Sequence, residues 1–354
     1  MFFKNFKDEN YENILIVSQD YENKLDKFKD VVKDIYVVNM IREIKLKQDI
    51  KSTLEIRKLL KKIKPDILYL HSSKAGAYGR IALFFNHKVK VLYNAHGWYF
   101  NAKMSQKKKK AIILIEKILA LRANKIINIS KSEYDSALKY KIAPERKMCV
   151  IENGIDFTKF EGCDKYREET RKKYNIGDNE IVIGVVGRVT ETKDPITTLK
   201  AFKNLCKSKP NLKLMYVGAG DLEENVIQSA KEYNILDKII ITGWVNSVEK
   251  YIPAFDIAVL PSQWEGFGLA LIEYMACDKP IIASNVGGII NIIKDKKNGL
   301  IFKAHEYEDL IEKMKILIEN NIIVKNIVQE NREYRKAYDI KLLIEKHEKL
   351  FKTL

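Results

Sequence analysis

Short runs of β-branched and other apolar residues alternate along this chain with amphipathic segments of helical length. The alternation stops over residues 156–178, a polar stretch without a β-rich run, and restarts with the buried run IVIGVVG at 181–187. Strands that alternate with helices predict a parallel sheet with helices on both faces. Because the pattern occurs twice, we expect two doubly wound, Rossmann-like α/β domains that face a cleft.

The β-rich runs predict six strands in each half of the chain. In the first half they are 13–17, 34–38, 67–70, 89–94, 125–129 and 147–151; in the second they are 181–187, 212–217, 239–242, 257–260, 280–283 and 300–302. The clearest helical segments are 41–63, 74–86, 105–122, 131–139, 306–320 and 322–353. Ligands of doubly wound sheets bind beyond the carboxyl ends of the strands, so residues that follow strands are the first candidates for a site.

A length of 354 residues is sufficient for two separate hydrophobic cores. We place the N-terminal domain at 1–165 and the C-terminal domain at 166–330. The last segment, 331–354, is predicted to be helical and to pack back toward the N-terminal domain.

The four cysteines are scattered and form no CxxC pair, which argues against a disulfide framework or a zinc site and favours a reducing cytoplasm. The first twelve residues are polar and mixed in charge, unlike a secretory signal. No stretch approaches the roughly 18–20 uninterrupted apolar residues that span a bilayer. We therefore expect a cytoplasmic protein that does not cross the membrane.

The net charge of +16 is concentrated in the first half of the chain. Residues 74–131 contain 13 Lys and Arg side chains and one acid, and the run 107–110 consists of lysines. Such a block attracts polyanions, although lysines can also be simply solvated. The run lies beside the amphipathic segment 105–122 and the aromatic residues 98–100, which favours an anionic membrane surface as the partner. Nucleic acid is not expected, because no RNA-binding module with interleaved aromatic residues is present.

A pair of glutamates gives the strongest local signal. Glu265 and Glu273 are separated by seven residues, and glycines follow the first of them. If a helix begins near Gly268, the amides of Phe267, Gly268 and Leu269 lie at its positive end and can bind a diphosphate. Glu273 could then accept hydrogen bonds from a ribose, and Glu265 could bind sugar hydroxyls. The alternative is a surface loop with one acid near a helix start.

A basic pair follows the strand at 181–187. Arg188 and Lys193 are five residues apart and can converge on one diphosphate, Arg as a fork and Lys as a point charge. Stabilising the departing nucleotide diphosphate is the main electrostatic task in sugar transfer. Taken alone, these residues could equally be surface charges.

Together, a strand followed by Gly-Arg-x4-Lys and then Glu-x7-Glu resembles the retaining glycosyltransferase family 4, which has the GT-B fold. Further matches are ENGID at 152–156, NVGG at 285–288 and NGL at 298–300. The resemblance implies that Arg188 and Lys193 bind the donor diphosphate, Glu265 the donor sugar and Glu273 the ribose. It also implies that the backbone of Gly243 and Trp244 meets the nucleobase. The implied donor site consists of Arg188, Lys193, Gly243, Trp244, Glu265, Gly266, Phe267, Gly268, Leu269 and Glu273.

In the first half, HSSKAGAYGR at 71–80 and NAHGW at 94–98 resemble a bacterial surface-polysaccharide branch of this family. The resemblance implies that His96 contacts the donor sugar, so that His96, Arg188, Lys193 and Glu265 carry catalysis; a packed core histidine is the alternative. Residues implied on the acceptor side are His71, Lys74, Arg80 and Trp98, although Lys74 and Arg80 could instead cap the following helix.

The sequence contains no Asp-x-Asp motif and no cluster of hard-cation ligands, so a metal-held diphosphate is not expected. No nucleophilic triad is visible either. Retention in this fold is generally attributed to front-face attack, in which the leaving phosphate takes the acceptor proton. Such a mechanism requires positioning and charge stabilisation and needs no protein nucleophile or cofactor.

Members of the family usually open with a strand and a glycine-rich loop, whereas the first glycine of this chain is Gly76. The opening strand at 13–17 corresponds better to the second strand of the family. We therefore predict that the N-terminal domain lacks its first strand, which would leave an unprotected sheet edge.

The predicted function is transfer of a hexose or N-acetylhexosamine, with retention, from a nucleotide diphosphate sugar, most simply a UDP-sugar. The expected acceptor is a polyprenyl-diphosphate-linked saccharide used for capsule, exopolysaccharide or O-antigen, reached from the inner face of the cell membrane. The N-terminal domain would bind the acceptor and the C-terminal domain the donor. Alternatives are a UDP-sugar epimerase of the same fold, a truncated homologue that binds donor but transfers weakly, and a non-enzymatic polyanion binder.

Overall fold

The computed structural model describes residue 6, residues 10–41, residue 43 and residues 45–354. The chain forms two compact units: unit 1 comprises Met1–Glu152 and Ile340–Leu354, and unit 2 comprises Asn153–Asp339. These divisions differ from the boundaries at 165 and 330 that we predicted. Residues 153–165, which we placed in the N-terminal domain, belong to unit 2: the thiol of Cys163, for example, lies 3.5 Å from that of Cys277.

The described residues of unit 1 form six parallel strands in two sheets. β1 pairs with β2, and the other four form a sheet in the order β3-β4-β5-β6. The strands are β1 (Ile14–Ser18), β2 (Asp34–Val38), β3 (Ile67–His71), β4 (Lys90–Asn94), β5 (Lys125–Asn128) and β6 (Met148–Val150). The helices are α1 (Leu46–Ile63), α2 (Ser73–Ala82), α3 (Gln106–Ala120) and α4 (Lys131–Lys139).

The central strands of unit 1 are buried on both faces, as parallel strands under two helical layers must be. Val91, Leu92, Ile126 and Ile127 are fully buried. Our prediction of a missing first strand falls mainly on residues 1–5 and 7–9, which lie outside the described residues. Among the described residues, β1 pairs with β2 and not with β3.

Unit 2 contains one six-stranded parallel sheet in the order β12-β11-β10-β7-β8-β9. Its strands are β7 (Ile181–Val186), β8 (Leu212–Val217), β9 (Ile239–Ile241), β10 (Ile257–Leu260), β11 (Ile281–Ser284) and β12 (Leu300–Phe302). Its helices are α5 (Tyr166–Lys173), α6 (Pro195–Cys206), α7 (Glu223–Glu232), α8 (Leu269–Ala276), α9 (Ile289–Ile292), α10 (Tyr307–Glu319) and α11 (Asn321–Tyr334). The order of the strands reverses between β7 and β10, which makes this the topological switch point.

One helix prediction is wrong. The segment 322–353 forms α11, a 3-10 turn at Arg335–Tyr338 and a separate helix, α12 (Ile340–Phe351), which belongs to unit 1. Between the turn and α12, Asp339 is extended, with φ −67° and ψ 137°, and the carbonyl of Tyr338 accepts a hydrogen bond from the amide of Ile155 at 2.9 Å. Gly154 permits this approach, since an added Cβ would lie 2.8 Å from the same carbonyl oxygen.

The predicted fold class is confirmed: both units are α/β, with parallel, Rossmann-like sheets. Every strand predicted from the apolar runs is present, with its ends displaced by at most about one residue. In the part of the chain that the structure describes, no helix is both long and apolar enough to cross a bilayer.

Candidate functional site

The loops that follow the central strands of unit 2 are joined to one another at the switch point. Backbone contacts connect them across the sheet, from β9 to β11: the bridge Gly218–Gly243, Val189 N to Ala219 O at 3.0 Å, Gln263 N to Thr192 O at 2.8 Å, and Gly288 N to Glu265 O at 2.8 Å. The carboxyl ends of five strands therefore support one continuous set of loops. This is where ligands bind in doubly wound sheets.

Two glycines allow these loops to come so close. An added Cβ at Gly218 would lie 2.0 Å from the carbonyl oxygen of Gly187, and one at Gly287 would lie 2.1 Å from that of Glu265. Both glycines also have positive φ angles, 149° and 44°. A side chain at either position would push the strand-end loops apart.

Lys193 and Glu265 meet across the switch point. Lys193 ends the 3-10 turn Glu191–Lys193 after β7, and its ammonium group forms an ion pair with Glu265, which follows β10. The Lys193 and Glu265 side chains are 19% and 17% exposed, and Ser262 Oγ donates to Glu265 at 3.3 Å. The structure thus brings together two of the predicted site residues. Arg188, immediately after β7, is exposed to solvent.

The helix predicted near Gly268 begins at Leu269 as α8, with Gly268 as its N-cap at φ 100°. An added Cβ at Gly268 would lie 3.5 Å from Cγ of Glu265, so the N-terminus of α8 adjoins the ion pair. The positive end of the helix and Lys193 therefore favour an anion at the same place. Phe267 is buried and packs on Tyr338.

Glu273 lies in the second turn of α8. Its pKa is raised to about 7, chiefly because the carboxyl group is buried and also because of the charge of Glu249, while Lys193 opposes the shift. Because the ordinary value is 4.5, this carboxyl group is poised between its two protonation states near neutral pH. A perturbed carboxyl group beside a cationic loop is typical of a functional site.

Gly243 and Trp244 follow β9 at the edge of the same set of loops. Gly243 has φ 70° and no heavy atom within 4 Å of an added Cβ, and Trp244 is 73% exposed. The space beside this backbone is therefore open, as access for a flat aromatic base would require.

In unit 1, the predicted residues His71 and His96 are hydrogen-bonded to each other. They follow the neighbouring strands β3 and β4, and His71 Nδ1 lies 2.8 Å from His96 Nε2. The pKa of His71 lies well below its ordinary value, because the surrounding protein shields the ring from water and His96 and His347 lie close. Desolvation also lowers the pKa of His96, so both rings are neutral at pH 7.

Two of the predicted acceptor contacts are wrong. Arg80 is fully buried, donates to Glu116 at 2.9 Å and stacks 3.8 Å from the ring centroid of Tyr93. Trp98 is 1% exposed, and its indole donates to Asn128 at 2.9 Å. Both side chains are structural members of the unit 1 core and cannot reach a ligand.

Lys74 is only partly accessible. Its ammonium group lies 3.0 Å from Asp49 and also bonds the carbonyl of Glu43, and a quarter of the side chain is exposed. Sequence reasoning missed a further residue, His347 of α12, which hydrogen-bonds Tyr69. No local motif marks His347, because its partner is 278 residues away along the chain. Among the described residues, no three His, Cys, Asp or Glu side chains are grouped as a metal site requires.

Two family models match the chain. The model described as Glycosyltransferase Family 4 matches residues 4–159, and the model described as Glycosyl transferases group 1 matches residues 166–334. Together they cover most of each unit.

Curated relatives and a solved structure agree with these matches. The UDP-Gal:alpha-D-GlcNAc-diphosphoundecaprenol alpha-1,3-galactosyltransferase of Escherichia coli is 29% identical over 86% of this chain and 79% of its own length. The capsular polysaccharide biosynthesis glycosyltransferase CapM of Staphylococcus aureus is 28% identical over 90% of this chain and 84% of its own. The Anabaena protein Alr3699/HepE, solved with UDP and glucose, superposes with a TM-score of 0.82 at 17% identity, covering 97% of this chain and 100% of that one.

Proposed function

This chain belongs to glycosyltransferase family 4, and we propose that it transfers a hexose or N-acetylhexosamine from a UDP-sugar to a lipid-linked glycan, with retention. The observation that carries the proposal is the contact of Lys193 with Glu265 at the switch point of unit 2, beside the N-terminus of α8. Cationic and anionic side chains there match a ligand that has a diphosphate next to sugar hydroxyls.

In the proposed donor complex, Lys193 exchanges its partner. The diphosphate replaces Glu265 as the counterion of Lys193, Arg188 turns onto the same phosphates, and the amides of Phe267, Gly268 and Leu269 contribute the helix dipole. Glu265, released from the ion pair, accepts hydrogen bonds from the sugar. Glu273 accepts from the ribose, and the backbone of Gly243 and Trp244 borders the uracil.

Calorimetry with UDP, UMP and uridine tests this donor site. A charge-assisted hydrogen bond contributes about 1.5–3 kcal/mol, so Lys193→Ala and Arg188→Ala should each weaken UDP binding at least about tenfold while affecting uridine little. Lys200→Ala, an exposed lysine of α6, is the matched control. Unchanged UDP affinity in both site variants would remove the assignment.

We propose that the diphosphate is neutralised by these side chains and amides without a divalent cation. The expectation is that transfer persists in EDTA at the rate measured with added Mg²⁺. Retention is proposed because the site offers charge stabilisation for a departing diphosphate, which front-face attack requires. NMR of the product's anomeric signal checks it: an inverted linkage contradicts this mechanism, and interconversion of UDP-sugars without acceptor would indicate an epimerase.

We assign His96 to the transferred sugar. His96 is an exposed residue beyond the end of β4, and its ring is bonded through Nε2 to His71, which leaves Nδ1 to face a ligand. The Escherichia coli relative acts, by its name, on a diphosphoundecaprenol-linked sugar, and the Staphylococcus aureus relative serves capsule synthesis. A polyprenyl-diphosphate-linked saccharide for capsule, exopolysaccharide or O-antigen is therefore the proposed acceptor.

Such an acceptor requires contact with a membrane, and unit 1 has a suitable surface. An apolar groove of about 580 Å³ lies between the ends of α1, α2 and α3. Phe85 in it is 87% exposed, and Leu121 beyond α3 is 70% exposed. Residues of this apolar patch and its cationic rim are Ile81, Phe85, Ile115, Ile118, Arg57 and Lys61. Exposed apolar side chains beside cations favour an anionic bilayer, here the inner face of the cell membrane.

The proposed docking surface is therefore not the aromatic segment 98–100 that the sequence analysis favoured. Trp98 and Phe100 are buried in the unit 1 core and cannot enter lipid, whereas Tyr99 is about half exposed. Flotation with vesicles containing phosphatidylglycerol, against pure phosphatidylcholine, tests the patch. The double variant Phe85→Ser with Ile118→Ser should abolish flotation. Replacement of the four lysines at 107–110 by Glu should abolish it as well. The control is Leu236→Ser, which changes an exposed leucine of unit 2. Indifference to anionic lipid would refute docking.

A further inference from the structure

The backbone of His96 adopts an uncommon conformation. Its φ angle is 50°, and Gly97 follows with φ 108°, so the chain turns sharply after β4. A non-glycine residue in this region is strained and persists only where its surroundings hold it. The neighbouring side chains identify what holds it.

A chain of hydrogen bonds runs from the backbone of His96 to helix α12. The amide of His96 donates to Asn94 Oδ1 at 3.1 Å, Asn94 Nδ2 lies 3.2 Å from the Tyr69 hydroxyl, and that hydroxyl lies 2.8 Å from His347 Nε2. His347 Nδ1 lies 2.8 Å from the carbonyl oxygen of Leu343. All these residues belong to unit 1.

The direction of every bond in this chain is determined by its two ends. The carbonyl of Leu343 can only accept, so His347 Nδ1 carries the proton and Nε2 accepts from Tyr69. The amide of His96 can only donate, which orients Asn94 with its NH₂ group toward Tyr69. Burial raises the pKa of Tyr69 and lowers that of His347, so the phenol stays protonated and the imidazole neutral at pH 7.

The ring of His96 is held separately by His71. The two ring planes are inclined by only 25°, and the centroids are 5.1 Å apart, as expected for imidazoles joined edge to edge by the 2.8 Å bond. The ring of His71 in turn lies against Tyr69, at a centroid distance of 4.1 Å. When His71 donates from Nδ1, Nε2 of His96 is the acceptor and Nδ1 of His96 carries the proton.

We propose that Tyr69, His347 and His71 are positioning residues for His96: the first two hold its backbone through Asn94, and His71 fixes its tautomer with Nδ1–H directed at the sugar. This inference rests on the proposed function, because it assigns a purpose to the ring of His96. It gives α12, the last helix of the chain, a role in sugar transfer without contact with the substrate. Misplacement of a catalytic group by about 1 Å can reduce the rate about 100-fold.

Tyr69→Phe is the first test, since it removes only the hydroxyl at the centre of the chain. We expect kcat to fall about 10- to 100-fold with UDP affinity unchanged, because the donor site lies in unit 2. Tyr134→Phe, which loses a 3.0 Å bond to Glu145 in the same unit, should retain wild-type kcat. His347→Gln, which can still accept from Tyr69, should be more active than His347→Leu, and His71→Asn, which keeps a donor near the Nδ1 position, more active than His71→Ala.

A spectroscopic measurement separates positioning from general stability. The ¹⁵N shifts of the His96 ring should report the Nδ1–H tautomer in the wild type and in His71→Asn, and a mixture of tautomers in His71→Ala. Wild-type kcat in Tyr69→Phe, or an Nε2–H tautomer of His96 in the wild type, would overturn the inference. If the wild type transfers no sugar, the proposed function fails, whereas the ¹⁵N experiment still decides whether His71 sets the tautomer.

Discussion

Replacing Glu273 by Gln should make unit 2 more stable at alkaline pH and weaken UDP binding. Burial raises the pKa of this carboxyl group from 4.5 to about 7 in the folded protein. Between these values the folded protein keeps a proton that the unfolded chain has released, so stability falls as the pH rises from about 4.5 to 7. Above pH 7 the full cost of the buried charge is present, and Gln removes it.

The size of the effect follows from the same values. One pKa unit corresponds to about 1.36 kcal/mol, so the difference between 4.5 and about 7 is on the order of 3 kcal/mol at pH 8. Below pH 4 the carboxyl group is protonated in both states, and Gln and Glu should give similar stabilities. The affinity for UDP should depend on pH in the opposite direction to stability: it should rise as Glu273 ionises, because the ionised carboxylate is the better acceptor for the ribose hydroxyls. Affinity of the wild type should therefore decline below pH 7, by up to about tenfold per unit.

Hydrogen exchange under urea is the suitable assay, because a chain of two units need not unfold in one step. Peptides from β7 and β8 report unit 2 alone. Glu224→Gln, an exposed position of α7, is the matched control and should change neither stability nor affinity. UDP also titrates near pH 6, so its own pH dependence is taken from the Glu273→Gln variant. Equal protection of wild type and variant at pH 8 would refute the reasoning.

Two further changes test the framework of the sites. Glu116→Ala leaves the charge of Arg80 buried without its partner, which should reduce the free energy of unfolding of unit 1 by about 3–5 kcal/mol, measured by hydrogen exchange under urea in peptides from β4 and β5. Glu145→Ala on the surface should have little effect. Gly287→Ala places a methyl group 2.1 Å from the carbonyl oxygen of Glu265, which must push the two loops apart. Calorimetry should therefore show the affinity for UDP reduced about tenfold or more. An unchanged affinity would mean that the loop moves without consequence for the ligand.

Sequence reasoning placed the strands correctly, because their positions follow from the pattern of apolar residues along the chain. Parallel strands buried on both faces are continuous apolar runs, so IVIGVVG and its counterparts could be placed to within a residue. Lys193 and Glu265 could be expected to converge because both follow strands adjacent to the switch point. The direction in which a single side chain points leaves no comparable pattern in the sequence. Arg80 and Trp98 occur within motifs that follow strands, but Arg80 lies in the last turn of α2 and Trp98 in the turn after β4, and both side chains are buried in the core.

Long-range partners were also invisible to the sequence. The bond of Tyr69 to His347 depends on the break between α11 and α12, where Asp339 is extended and the carbonyl of Tyr338 bonds the amide of Ile155. A helix pattern that continues through 322–353 gives no sign of that break. The pairing of Tyr69 in β3 with His347 in α12 could therefore be seen only in the folded structure.

The return of α12 to unit 1 has a consequence for biosynthesis. Unit 2 is a continuous segment and can fold as soon as it has left the ribosome, whereas unit 1 must wait for the last fifteen residues of the chain. Until then Leu92, Ile127 and Ile151 lack the cover of Leu343 and Phe351. Synthesis that stops before Ile340 therefore releases a nascent protein with a complete unit 2 and an open apolar face on unit 1, which chaperones and proteases can recognise.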